Sequence, residues 1–109
     1  MSILDKQVTF LLNVSKLIQW ASNNGYQLTG GELYRTEEQQ KIYLKTGLSK
    51  VLRSQHQVRL AIDLNLFIGG EFIIDKEKYK PLADHWKTLH PLNRCGYDWG
   101  WDANHFEMQ

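Results

Sequence analysis

Asp63 is the residue of this sequence most in need of an explanation. It is a carboxylate in the middle of Leu60-Ala61-Ile62-Asp63-Leu64-Asn65-Leu66-Phe67-Ile68. The run alternates with a period of two and predicts a strand. Ile62, Leu64, Leu66 and Ile68 share one face; Asp63, Asn65 and Phe67 share the other. A carboxylate among aliphatics is costly unless partnered. Asn104-His105-Phe106-Glu107-Met108 predicts a second strand, with His105 and Glu107 on one face and Asn104 and Phe106 on the other. If helices cover the Ile/Leu face and the strands pair in matching register, Asp63 and His105 converge on the open side. His56 lies in a polar loop seven residues before Asp63 and can fold back to the same point. Two neutral imidazoles and one carboxylate suit a single Zn²⁺, with a fourth position left for water. Asp102, three residues before His105, is placed to take a proton from that water. Asp98 and Glu107 are rival bases, and Glu107 is also a candidate support for the His105 ring.

Each of these residues has an ordinary alternative. Asp63 could pair with Arg53 or Arg59, His105 could be a satisfied core histidine, and Asp102 could be a turn residue after Gly100-Trp101. Arg35 could pair with Glu32 or Glu38. His85 and His90, five apart, do not share a helical face well and are read as non-ligands. Trp99 and Trp101 flank the site, as cleft walls or as ordinary packing. Cys95 is read as a small loop residue.

The elements that must position these groups are legible. Ser2 caps a first helix whose apolar face is expected to be Leu4, Val8, Leu11, Val14, Leu17, Ile18 and Ala21, ending near Asn24-Gly25. Tyr26-Gln27-Leu28 predicts a short strand and Gly30-Gly31 a turn. Thr36-Glu37-Glu38-Gln39 is a capping box for a second helix from Glu37 to about Lys45, stopped by Gly47. Thr46 to Gln55 reads as loop. Gly69-Gly70 makes a two-residue hairpin into Glu71-Phe72-Ile73-Ile74. Pro81 suits the first turn of a third helix through His90, with Leu82, Trp86 and Leu89 inward. Leu92 to Trp101 reads as loop. The expected fold is α+β: a small, mainly antiparallel sheet with about three helices on one face.

Composition removes several function classes. The chain has 109 residues, so it is expected to be one domain, 1–109, without a separate cell-surface-binding unit. One cysteine excludes an internal disulfide. A formal charge of +1 gives no electrostatic reason to expect a nucleic-acid partner. No apolar run approaches the ~20 residues of a membrane span. The N-terminus lacks the basic-then-apolar pattern of a secretory signal, so synthesis in a cytoplasm is expected.

Three segments together resemble a known family. Ser54-Gln55-His56-Gln57-Val58-Arg59-Leu60-Ala61-Ile62-Asp63-Leu64 is similar to the S-x-H-x-x-G-x-A-x-D-L signature of the D-alanyl-D-alanine carboxypeptidase-like zinc peptidases, which share a fold with the hedgehog signalling domain. Asp102-Ala103-Asn104-His105 resembles the second signature, and Tyr34-Arg35-Thr36-Glu37-Glu38-Gln39-Gln40 resembles the Y/F-R-T-x-E-x-Q segment. The small size is similar to that of phage L-alanyl-D-glutamate endopeptidases. The resemblance implies one Zn²⁺ held by His56, Asp63 and His105, with Asp102 as general base and then acid. It implies Arg35 on a substrate carboxylate or developing oxyanion, and Ser54 hydrogen-bonded to substrate. Arg59 replaces the signature Gly; Gly there would mark a close approach or a positive φ. Glu107, Arg59 and Trp101 are further candidates around the metal. The implied substrate is the peptidoglycan stem peptide. The implied reaction is hydrolysis at L-Ala–D-Glu or, alternatively, D-Ala–D-Ala, by a monomer made in a host bacterial cytoplasm and acting on the wall after release. A non-catalytic zinc-containing wall-binding module is the rival from another class.

Overall fold

A computed structural model describes residues 1–51 and 53–109. Three helices, α1 (Ile3–Asn23), α2 (Glu37–Thr46) and α3 (Lys80–Leu89), accompany five strands: β1 (Gln27–Gly30), β2 (Ala61–Ile68), β3 (Glu71–Phe72), β4 (Asn93–Cys95) and β5 (His105–Met108). All pairings are antiparallel, in the order β1-β2-β5-β4, with β3 also on β2. Three helices and a small antiparallel sheet form, as the sequence predicts; α1 and α3 cover one face of the sheet, whereas α2 lies outside that layer.

The helix boundaries follow their caps. The Ser2 hydroxyl accepts from the Asp5 amide at 3.0 Å. Thr36 accepts from Gln39 N at 3.0 Å, and Gly47 closes α2 at φ 83°. Gly69 and Gly70 both have positive φ, as a two-residue hairpin between β2 and β3 requires.

The core lies between the sheet and the pair α1 and α3. Phe10 meets the Trp86 ring edge-on at 5.7 Å, and Trp86 meets Phe106 at 6.0 Å. The Trp86 indole N–H donates to both Arg94 O (2.8 Å) and Glu107 O (3.1 Å), which ties α3 to β4 and β5. Removing that ring would cost about 3–5 kcal/mol. On β2, Leu64 and Leu66 are buried in this core, and Asp63, Asn65 and Phe67 take the other side.

Two expectations need correction. The buried stripe of α1 is Phe10, Asn13, Val14, Leu17 and Ala21; Leu4, Val8, Leu11 and Ile18 are exposed. The helix is rolled so that Phe10 reaches Trp86, and a helix apolar on two sides does not announce which side is covered. Leu92–Trp101 is not all loop: it contains β4 and a 3₁₀ turn, Gly96–Trp99. A three-residue strand is too short to show periodicity, and β5 supplies its pairing. α2 buries only Gln40 and stands at the rim of the open face.

Candidate metal centre

Strand register brings the first two candidate ligands together. β2 and β5 pair with Asp63 opposite His105, which sends both side chains to the open face. His56 arrives from a 3₁₀ turn, Gln55–Val58, capped by the Ser54 hydroxyl, which accepts from His56 N at 3.2 Å. The turn closes with Leu60 N donating to Gln55 O (2.9 Å) and Arg59 N donating to His56 O (3.3 Å). That is the two-bond helix terminator whose penultimate residue is left-handed. Arg59 holds that place at φ 57°, the one non-glycine with positive φ among the described residues. The signature Gly therefore answers to backbone conformation. Here the Arg59 guanidinium lies 4.1 Å over the Tyr34 ring.

The segment before α2 buttresses the site. Gly31 N donates to Asp63 O at 2.7 Å, Asp63 N to Glu32 O at 2.9 Å, and Arg35 N to His56 O at 3.1 Å. A Cβ on Gly31 would meet Asp63 Cβ at 3.0 Å, so the close approach requires glycine. The Leu33 carbonyl, 2.9 Å from His56 Nδ1, must accept a proton from the ring. In the neutral ring His56 Nε2 then carries a lone pair; the atom is buried and without a hydrogen-bond partner, 3.3 Å from Asp63 Oδ1. Two acceptors at that separation repel unless a cation lies between them. His105 is oriented in the same manner. Its Nε2 donates to Glu107 Oε1 at 2.7 Å, which turns Nδ1 toward Asp63 Oδ1 at 3.5 Å. One ligand atom from each of His56, Asp63 and His105 lies within 4.8 Å of the others. Two nitrogens, one oxygen and an orphaned buried lone pair fit a zinc ion. Among the described residues this is the one such cluster.

Charge in the metal-free protein is distributed accordingly. Burial opposes ionisation of Asp63, but the flanking His105 and His56 outweigh it and hold the carboxyl at about 2. Burial likewise opposes a charged His105. Hydrogen bonds to Asp63 and Glu107, with the negative charge of Asp102, overcome it and lift the imidazole to about 9. A proton on Nδ1 thus occupies the direction a metal would take. Glu107 is held ionised against burial by His105 and by Arg94, which forms an ion pair with its Oε2. Asp102 is pushed up, chiefly by burial.

The other candidates fall as follows. Asp102 lies 3.7 Å from His105 Nδ1, on the metal side of that ring. Of its rivals, Asp98 pairs with Lys87 at 2.9 Å and does not line the cleft, and Glu107 is turned to the outer nitrogen. Arg35 lines the cleft but is ion-paired with Glu32, donates to Gln40 Oε1 at 2.6 Å and lies 4.6 Å over the Tyr43 ring. Ser54 lines it too, with its hydroxyl engaged as a cap. Trp99 lies 5.2 Å from the His105 ring, and Lys50 sits 4.7 Å over Trp101. The whole forms a cleft of about 820 Å³. His85 stacks on Trp20 and His90 accepts from Leu92 N, both away from the cleft. Cys95 is buried, its thiol pushed up to about 11 by burial and by Asp98.

Three contributors escaped the sequence reading. The Leu33 carbonyl carries no side-chain signal. Arg94 sits in β4, where the sequence predicts loop. Gln40, which donates to Ser49 Oγ (2.9 Å) and Val51 O (2.6 Å) while holding Arg35, ties Ser49 and Val51 to α2. Its one visible trace was the final Q of the Y-R-T-x-E-x-Q resemblance.

Fold and site define a small α+β protein with a His-Asp-His cluster, built to hold a metal, at the edge-to-edge seam of two strands. The chain belongs to the D-alanyl-D-alanine carboxypeptidase family, whose profile matches residues 47–108, more than half of it. It is 31% identical over 96 residues to the L-alanyl-D-glutamate peptidase of Listeria phage A118. That match covers 84% of this chain and 31% of the phage protein, so the chain spans about a third of that relative's length. The L-Ala D-Glu endopeptidase ChiX of Serratia marcescens has a similar structure, with a TM-score of 0.70 at 21% identity, covering 85% of this chain and 75% of ChiX. The D,D-pentapeptidase VanY of a VanB-type vancomycin resistance cassette, solved as a mutant with Zn(II), gives 0.64 at 16% identity, covering 91% and 70%.

Proposed function

We propose that this chain is a zinc peptidase that hydrolyses the peptidoglycan stem peptide at the L-alanyl–D-glutamate bond. One observation carries the reading: two imidazoles, each fixed by its outer nitrogen, aim their inner nitrogens at one oxygen of Asp63. The phage relative and ChiX favour that bond over D-Ala–D-Ala. His56, Asp63 and His105 would hold the ion. Zinc bound there would act as a Lewis acid on the scissile carbonyl and lower the pKa of water.

The remaining chemistry belongs to the chain. Asp102, raised by burial yet beside the cluster, accepts a proton from water and returns it to the leaving amine. Glu107, clamped by Arg94, holds the His105 ring as a positioning residue. Arg35 faces substrate only if its pair with Glu32 yields, so the geometry supports a mainly structural role for it. Ser54 shapes the His56 turn. Trp99 and Trp101 wall the cleft and limit water. The described residues share one core, which supports a single peptidase domain. The product is expected to act on the bacterial wall; no helix among the described residues is long and apolar enough to cross a membrane.

The test is mass spectrometry of stem peptides digested by zinc-loaded protein, with Asp102→Asn in parallel. The expected result is cleavage between L-Ala and D-Glu, lost on chelation. Asp102→Asn should keep its zinc and lose at least about 100-fold in kcat, the scale of general acid–base catalysis. Cleavage at D-Ala–D-Ala would reassign the bond, and full activity of Asp102→Asn would reassign the base.

A further inference from the structure

Next to the metal cleft lies a second, shallower depression of about 320 Å³. Trp101 and Asn104 line both, so one groove crosses the open face of the sheet and an indole divides it. Asn65 lines the second part. It follows Asp63 on the same face of β2 by one pleat repeat, roughly 7 Å. Asn104 Nδ2 donates to Asn65 Oδ1 at 3.2 Å. That bond uses one side of each amide and leaves the Asn65 NH₂ and the Asn104 oxygen for other partners. Two aromatic rings stand at the depression in the open, Phe72 at 56% and Trp101 at 46% exposure.

The two halves differ in how many charged side chains line them. The metal side is rich in charges of both signs: Arg35, Lys50, Arg53 and Arg94 line it together with Glu32, Asp63, Asp102 and Glu107, and Arg35 and Arg94 are ion-paired with Glu32 and Glu107. In the second half Lys76 is the one charged lining residue among those described, and its ammonium donates to Gly100 O at 3.2 Å. The stem peptide has a matching asymmetry. Its carboxylates begin at D-Glu, whereas L-Ala is joined through its amine to the neutral amino-sugar of the glycan. If the bond after L-Ala sits at the cluster, the sugar side begins one residue away, about 3.5 Å of extended chain. The charged side of the stem then lies in the charge-rich cleft, where Lys50 and Arg53 stand, and the neutral side falls on the second depression.

We propose that this depression is a subsite for an N-acetylated amino-sugar of the glycan strand. Phe72 and Trp101 offer ring faces, and the Asn65–Asn104 amides offer hydrogen bonds to hydroxyl and acetamido groups. The direction of the substrate rests on the peptidase reading; sugar binding at this place stands or falls separately.

The probe is the neutral β-1,4 N-acetylglucosamine tetramer, titrated into the whole protein and followed by tryptophan fluorescence. Wild type should bind. Asn65→Ala and Phe72→Ala should each weaken binding about tenfold, the scale of one lost hydrogen bond or ring contact. No binding by wild type, or wild-type affinity in both variants, overturns the proposal. A second arm compares hydrolysis of a disaccharide-linked stem peptide with that of the sugar-free peptide. The ratio of their kcat/KM values should fall about tenfold in each variant; an equal loss on both substrates also overturns it. Failure of wild type to cut the sugar-free peptide would count against the peptidase reading, and the tetramer titration would still decide this one.

Discussion

Replacing Arg59 isolates the energetics of the turn that delivers His56. Arg59 is left-handed at φ 57° and exposed, with its guanidinium 4.1 Å over the Tyr34 ring. A side chain in that conformation costs about 1–2 kcal/mol. An exposed cation–ring contact returns about 0.5–1 kcal/mol. Glycine removes the strain but loses the contact and adds about 0.4–1 kcal/mol of unfolded-chain entropy. Arg59→Gly should therefore lie close to wild type. Arg59→Ala loses the contact and keeps the strain. Both variants lack the guanidinium, so their difference reports backbone conformation alone. Glycine should lead alanine by about 0.5–1 kcal/mol, or roughly 3–6 °C in Tm for a domain near this size. Urea and thermal unfolding of the chelator-treated proteins at one pH would measure it. Alanine equal to or above glycine would refute the conformational account. Glycine far below wild type would show that the Tyr34 contact, rather than the terminator, governs this corner.

Three further outcomes are expected. In metal-free protein, the stability owed to Asp63 is present above its ordinary value of 3.8 and is lost as pH falls to about 2. The stability owed to His105 is complete below 6.5 and is lost as pH rises to about 9. Tm should therefore be highest between these limits and fall on the alkaline side, and zinc should abolish the alkaline fall; a metal-free Tm flat from 6.5 to 9 would contradict this. Glu107→Ala should weaken zinc binding by about 10–100-fold in chelator competition, and unchanged affinity would remove Glu107 from the support of His105. Gly96→Ala should lower stability by about 1–3 kcal/mol, because the new Cβ would lie 1.8 Å from the Asp102 carbonyl oxygen, which itself accepts from His105 N at 3.0 Å. A wild-type Tm for that variant would mean the Asp102 segment yields freely.

What could be read from the sequence was whatever leaves a local trace. The period of two in 60–68 placed Asp63 opposite the aliphatic face, and the same argument placed His105, because a pleated strand has one alternation and no freedom within it. Caps at Ser2 and Thr36 marked helix starts because they satisfy amides three residues on. What stayed hidden depends on distant partners. The exposed Leu4, Val8 and Leu11 are as apolar as the buried Val14 and Leu17, and only the position of Trp86 tells them apart. β4 exists because β5 is beside it. Arg35 could be assigned to substrate or to an ion pair; the structure shows its pair with Glu32, a residue placed by its bond to Asp63 N, and that contact has no local trace. The family signature has Gly where Arg59 stands; the left-handed φ found there is one that Gly adopts most easily, and Arg59 holds it with its guanidinium over the Tyr34 ring.

The pairing of Asp63 with His105 has a consequence for how the chain reaches its final form. Sliding β5 by a single residue along β2 would swap inward and outward side chains, sending His105 into oil and Phe106 into water. A divalent ion that demands both ligands together would reject a misaligned pairing of these two strands. Metal capture should thus act as a proofreader of assembly, locking the seam only when it is threaded correctly.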